Sequence, residues 1–245
     1  MQSMKIIFSH STDPTFNLAA EEYLFNKRES EILLLYINEP SVIIGSNQAV
    51  VNEVDMDYCI DRSIRIIRRM SGGGAVYNDM GNINFTFIRH KRDDALGPAF
   101  LEPMVDVLTA MGIPAEIGKR KDLWLAGYKI TGTAAHISRG WQLHHGTLLY
   151  DTETDVLVKS LTPERRDLVQ KATASVVSPV RNIRDYLIEQ NGSAPNRDDF
   201  FDLLSVRFLE YFGVDRLSAF TDDEVQEIGA LQREKYTQRE WNYKK

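Results

Sequence analysis

Three consecutive glycines, Gly72 to Gly74, sit inside the run RRMSGGGAVYNDMGNINFTF (Arg68 to Phe87) and restrict this chain more than any other feature. Glycine carries no Cβ and loses more backbone entropy on folding than any other residue. A stable domain therefore keeps such a run only where backbone bends sharply or another group approaches closely. The flanks favour a ligand as that group. Two adjacent guanidiniums, Arg68 and Arg69, suit bidentate capture of a carboxylate or phosphate, and Ser71 adds a hydroxyl. Beyond the glycines, Asn82, Asn84 and Thr86 alternate with Ile83, Phe85 and Phe87, a strand with one core face and one polar face. The run is not a Walker A loop, since no Gly-Lys-Ser/Thr follows, nor a GxGxxG fingerprint, since the glycines are contiguous. A plain glycine turn between two strands stays open as the alternative.

Elements can be placed around this run. Asp13 before Pro14 marks an N-cap with proline at the first helical position, opening a helix to about Phe25. Glu31 to Ile37 and Ser41 to Gly45 are strand-like runs separated by Asn38, Glu39 and Pro40, a hairpin-like pattern. Val54 to Arg62 suits a helix, Ile64 to Arg68 a strand, and Pro98 to Met111 a helix stopped at Gly112. Ala115 to Ile137 forms two strands around an Ala126-Gly127 turn, and Gln142 to Tyr150 another strand. Helices follow: Asn196 or Arg197 to Phe212, with Phe201, Leu204, Phe208 and Phe212 at helical spacing, then one opened by a Thr221/Glu224 capping box. The expected fold is a single α/β (α+β) domain over residues 1–245, its sheet mixed, largely antiparallel and flanked by helices.

A net charge of −6 argues against a general nucleic-acid binder, which needs a basic surface. Local basic clusters, Lys119-Arg120-Lys121 and Arg89 with Lys91 and Arg92, are solvated loops or steering patches. A single cysteine, Cys59, excludes an intrachain disulfide and a cysteine zinc site, and suits a reducing cytoplasm. No basic N-terminus leads into a long apolar stretch and no run approaches a membrane span, so a cytoplasmic protein is expected.

Taken as one strand, Tyr128 to Ala134 puts Lys129, Thr131 and Thr133 on one face and Ile130, Gly132 and Ala134 on the other. From its type alone, Lys129 is either a solvent-facing strand lysine or a cation poised over a cleft. His144 and His145 point to opposite faces and so do not readily share one metal; each is a core or a site histidine.

The run RRMSGGGAVYNDMGN resembles the signature of lipoate-protein ligases of the A family and the related lipoyl and octanoyl transferases. The resemblance covers nearly the whole chain through DPTFNLAAEEYLF (Asp13 to Phe25), GSNQAVVNEV (Gly45 to Val54), GYKITGTAAH (Gly127 to His136), LHHGTLLYDTETD (Leu143 to Asp155), KATASVVSPVRNI (Lys171 to Ile183) and REWNY (Arg239 to Tyr243). It implies a biotinyl/lipoyl ligase catalytic fold. It also implies conversion of lipoate and ATP, with Mg²⁺ as activator, to lipoyl-AMP, followed by acyl transfer to a lysine of a lipoyl domain. Acceptors would be the lipoyl domains of 2-oxoacid dehydrogenase complexes or the glycine cleavage H protein, with no nucleic-acid or membrane partner.

By the same resemblance Lys129 is the catalytic lysine. Arg69, Ser71, Gly72, Gly73, Gly74, Ala75, Tyr77, Asp79 and Asn82 would contact substrate or lipoyl-AMP, as would Asp122, Thr131, Gly132, Thr133, Ala134 and His145. Of these, Asp122 would contact the nucleotide or its Mg²⁺, although Lys121 stands where the ligases carry asparagine. The transferases that work without ATP use a cysteine nucleophile near Lys119 to Asp122 or after the His-Gly pair. Neither place has one here, which ranks a ligase above a thioester transferase. A catalytically silent binding subunit is the third possibility, against which Lys129 and the intact SGGG block both weigh. Long ligases carry an accessory domain after the WNY/WNF block. Here the chain ends at Lys245, so that domain is expected to be absent or supplied by a separate subunit.

Overall fold

Asp13 does cap the first helix: its carboxylate accepts the Thr15 N–H at 2.9 Å, with Pro14 in the first turn. The computed structural model describes residues 4–92, 97–163 and 173–244, so Lys171 and Ala172 of the KATASVV block lie outside it.

In chain order the strands are β1 (Lys5–Phe8), β2 (Ile32–Ile37), β3 (Ser41–Ile44), β4 (Arg65–Arg68), β5 (Val76–Asn78), β6 (Asn82–His90), β7 (Glu116–Ile117), β8 (Leu123–Leu125), β9 (Tyr128–Lys129), β10 (Thr133–Ser138) and β11 (Trp141–Leu149). The helices are α1 (Pro14–Lys27), α2 (Val50–Glu53), α3 (Met56–Asp61), α4 (Glu102–Ala110), α5 (Thr154–Ser160), α6 (Ile183–Asn191), α7 (Arg197–Phe212), α8 (Asp222–Leu231) and α9 (Arg239–Asn242). A five-stranded sheet runs β1-β2-β6-β11-β10, parallel only between β1 and β2. Two three-stranded sheets, β4-β3-β5 and β7-β8-β9, stand beside it, and β3 with β4 is their one parallel pair. The fold is thus mixed and antiparallel-rich, as the pattern of runs implied.

Strand β6 organises the layers. Ile83, Phe85 and Phe87 on one face pack with Met104 and Leu108 of α4 and Leu204 and Phe208 of α7 in the largest core cluster. Asn82, Asn84 and Thr86 on the other face are equally buried, at 0%, 3% and 0% exposure. The polar face of this strand is therefore roofed rather than wetted. A second cluster joins α1 (Leu18, Leu24) to Leu34 and Tyr36 of β2. A third encloses Cys59 between α3 and the β4-β3-β5 sheet.

Three expectations need correction. β2 and β3 do not form a hairpin: β2 pairs with β1 and β6, whereas β3 leaves the large sheet after Pro40 to pair with β4 and β5. Tyr128 to Ala134 is not one strand. The chain crosses between sheets at Ile130 to Gly132, with Ile130 N–H and Thr131 Oγ1 holding the carbonyl and N–H of Leu123 at 2.9 and 2.8 Å. Ile130 and Thr131 are both buried at this crossing, at 0% and 1% exposure. Arg89 is not part of a solvated loop, since its guanidinium lies 4.6 Å over the Phe87 ring. The Ala126-Gly127 turn is found as expected, with both residues at positive φ (49° and 83°), the geometry that a two-residue hairpin loop requires.

Candidate active site

The two arginines before the glycines are consumed by backbone. Arg68 is wholly buried and donates to the carbonyls of Gly45 (2.8 Å), Gln48 (2.7 Å), Trp241 (3.1 Å) and Asn242 (3.1 Å). Arg69 donates through Nη2 to the carbonyls of Gly72 and Gly74 at 2.6 and 2.7 Å, through Nη1 to Ile43 at 3.0 Å and through Nε to Ser71 Oγ at 3.0 Å. Burial draws its pKa down to about 10, which leaves it charged at neutral pH. Bidentate capture of a ligand by this pair is thus not the arrangement present: Arg68 joins distant loops, and Arg69 shapes the glycine loop it was expected to assist. Gly73 completes that loop at φ +87°, and its carbonyl lies so close to Gly45 that a Cβ there would sit 2.2 Å from it. Backbone packs on backbone at Gly45, which excludes a Cβ there, while the positive φ of Gly73 is what favours glycine on the other side.

Behind the loop lies a buried chain of polar groups. Ser71 Oγ is 2.6 Å from His145 Nε2, and His145 Nδ1 is 2.8 Å from Glu21 Oε2. Tyr36 donates to Glu21 at 2.9 Å and Thr86 donates to the same oxygen. Burial opposes ionisation of Glu21, but His145 and these hydrogen bonds outweigh it and hold the carboxyl below its ordinary range. The carboxylate fixes Nδ1 as the donor side of the imidazole, leaving Nε2 facing the Ser71 hydroxyl.

Two clefts meet beside this chain. The inner slot lies between the large sheet and β4-β3-β5, and Arg69, Thr133, Ala134 and His145 line it together with Leu18, Tyr36 and Asn84. The outer cleft is lined by Ala75, Tyr77, Lys129 and Thr131, with Leu157, Val177 and others of the 175–180 segment on its far side. Val76, Gly132 and Thr147 line both, so the two clefts adjoin across these residues. The inner slot is tight, with about 30 Å³ of free interior against about 160 Å³ outside, so a chain enters it only as loop or side chains give way.

Lys129 stands in the outer cleft with its side chain one-fifth exposed, and its Nζ is 3.3 Å from Asp122 Oδ2. Trp124 Nε1 holds the other carboxylate oxygen at 2.9 Å. Among the described residues no group of three His, Cys, Asp or Glu side chains could hold a metal ion.

Asp79 and Asn82 were expected at the ligand, but their bonds serve the turn between β5 and β6. Asp79 accepts the N–H groups of Gly81 and Glu153 (2.9 and 2.8 Å), and Asn82 donates to Tyr77 and Asn78. His144 stacks on Phe100, on the opposite face from His145. Glu21, Asn84 and the clamp of Gln48 with Ser175 (3.1 Å) escaped sequence reasoning. A carboxylate among the buried residues of α1 was the one available signal for Glu21.

With this geometry in hand, comparison places the chain. Residues 13–208 match the lipoyl protein ligase A/B catalytic domain, and the chain belongs to that family. It is 34% identical to lipoate-protein ligase LplJ of Bacillus subtilis (strain 168), over 94% of this chain and 70% of that protein. A T. acidophilum protein assigned as a lipoate protein ligase, solved with bound lipoic acid, superposes with a TM-score of 0.81 at 28% identity (99% and 100% covered). A bi-partite lipoate protein ligase of Thermoplasma acidophilum, studied with its E2 lipoyl domain, gives 0.82 at 28% (99% and 97%). A lipoate-protein ligase A bound with ATP gives 0.81 at 27% (99% of each chain).

Proposed function

We propose that this chain is a lipoate-protein ligase, joining lipoate and ATP into lipoyl-AMP and passing the lipoyl group to a lysine of a lipoyl domain. The observation that carries this reading is the meeting of two clefts at Val76, Gly132 and Thr147, with Lys129 on the outer side. The acyl chain lies in the inner slot, the nucleotide in the outer cleft, and the reacting carboxyl at the junction. Relatives that bind lipoic acid and ATP support this reading.

In the first step a lipoate carboxylate oxygen attacks the α-phosphorus of ATP and the bond to pyrophosphate breaks. In the second the acceptor amine adds to the acyl carbonyl, loses its proton, and AMP departs. Both steps build negative charge on oxygens beside Lys129, whose ammonium stabilises it from a fixed position. Mg²⁺ bound with the nucleotide would neutralise phosphate charge, and Asp122, the carboxylate beside Lys129, would help to hold it. The exposed Lys119 and Arg120 suit an acidic acceptor such as a lipoyl domain of a 2-oxoacid dehydrogenase complex or the H protein.

Residues 1–245 act as one catalytic unit, with a second polypeptide assisting adenylation, a division that the bi-partite relative supports. A thioester route is disfavoured: Cys59 is fully buried, and burial pushes its thiol up to about 11. Pyrophosphate release from Mg-ATP and lipoate, and the intact mass of an apo lipoyl domain incubated with the protein, test the proposal. Lipoyl transfer requiring ATP is expected; transfer from an acyl carrier without ATP would overturn it.

A further inference from the structure

Two buried amide groups in the inner slot carry an inference that rests on the ligase reading. Asn84, in the centre of β6, is 3% exposed and Asn78, at the end of β5, is 1% exposed. Both line the slot, and the Nδ2 of each has no hydrogen-bond partner. The neighbouring polar groups are engaged: Tyr36 donates to Glu21, Asn38 accepts from Asn17 at 2.9 Å, and Thr147 Oγ1 accepts the Gly132 N–H at 3.1 Å. An unsatisfied buried donor is costly, and a central strand position facing a helix layer would ordinarily hold an apolar side chain. Two such donors, one from each sheet, therefore stand in the wall of the slot with no partner of their own.

The direction of the acid decides what they meet. Its carboxyl belongs at the junction, near Gly132, Thr147 and Lys129. Across the sheet, Asn84 pairs with Thr147 on one side and Tyr36 on the other, so the row Thr147–Asn84–Tyr36 leads away from the reacting end. It spans two strand spacings, on the order of 10 Å, comparable with a medium-length acyl chain. The amides consequently face the outer half of that chain. A saturated tail would leave both unpaired, whereas a ring containing sulfur offers polarisable, weakly accepting atoms.

We infer that Asn84 and Asn78 make the inner slot selective for an acid ending in a cyclic disulfide, such as lipoate, over a straight saturated acid of similar length, such as octanoate. The test is ATP-dependent pyrophosphate release with each acid, comparing kcat/KM for the full chain, Asn84→Leu and Asn78→Leu. The unaltered protein should prefer lipoate. Asn84→Leu should lower that preference about tenfold, chiefly by raising KM for lipoate and lowering it for octanoate. A substitution that merely disturbed the fold would depress both acids together. Should Asn84→Leu fail to fold, Asn78→Leu and the ratio for the unaltered protein carry the test. Equal use of the two acids by the unaltered protein, or a ratio that neither substitution moves, overturns the inference. Failure both to activate any acid and to transfer the lipoyl group from preformed lipoyl-AMP would instead overturn the ligase reading beneath it.

Discussion

Trp241 and Arg68, 173 residues apart, hold each other in both directions: the indole N–H donates to the Arg68 carbonyl at 2.7 Å, and Arg68 Nε donates to the Trp241 carbonyl at 3.1 Å. Asn242 adds a third tie through its Oδ1 to the Arg68 N–H at 2.9 Å. The REWNY block thus braces the end of β4, from which the glycine loop departs. Trp241→Phe deletes one of these bonds and leaves a buried carbonyl unpaired. A loss of about 1–2 kcal/mol in denaturant-induced unfolding is expected; a loss within error would show that the brace does not bear on stability.

Lys129→Ala should slow lipoyl transfer from preformed lipoyl-AMP by more than tenfold, about 1.4 kcal/mol or more in barrier, while the protein stays folded. The partly exposed side chain contributes little packing, although Asp122 loses its ion-pair partner. Single-turnover transfer with circular dichroism of the variant checks this. Retention of the rate would remove Lys129 from the chemistry.

Gly45 and Gly72 should respond oppositely to alanine. A Cβ on Gly45 would sit 2.2 Å from the Gly73 carbonyl oxygen, whereas one on Gly72 would meet nothing within 4 Å. Gly45→Ala is expected to displace the glycine loop and cost both thermal stability and ligase rate. Gly72→Ala should melt within about 2 °C of the unaltered protein. The pair is read by thermal melts and pyrophosphate release; similar behaviour of the two would contradict the packing described.

Glu21 predicts an acid dependence. Its native carboxyl titrates below the ordinary value of 4.5, so ionised Glu21 contributes stability that is fully present above that pH and lost as pH falls beneath it. Melting temperature should therefore decline below about pH 4.5, and part of this slope should vanish in Glu21→Gln, which begins from a lower stability at neutral pH. An identical slope in the variant would assign the acid sensitivity elsewhere.

Local signals in the chain were faithful where the governing partners are local. Asp13-Pro14, the Thr221/Glu224 capping box and Ala126-Gly127 each appear as their residue types require, since every bond involved spans a few residues. Arg68 was misjudged because the carbonyls that take its donors come from residues 45–48 and 241–242. The hairpin expectation for β2 and β3 failed for the same reason, since strand partners are settled by distant segments. Lys129 and the glycine run were legible as candidates, and Lys129 does line a cleft. Glu21 and the asparagines of the inner slot were not, because a polar residue inside an amphipathic pattern looks like solvent exposure until a second layer is seen to cover it.

The Lys129 N–H donates to the Pro179 carbonyl at 2.9 Å, and the Lys129 carbonyl accepts from the Arg181 N–H at 3.3 Å. No hinge can operate between that lysine and the segment walling the outer cleft while both bonds hold. The wall is therefore tied to β9 on both sides of one residue, so that a displacement of the 179–181 segment and a displacement of Lys129 are a single event.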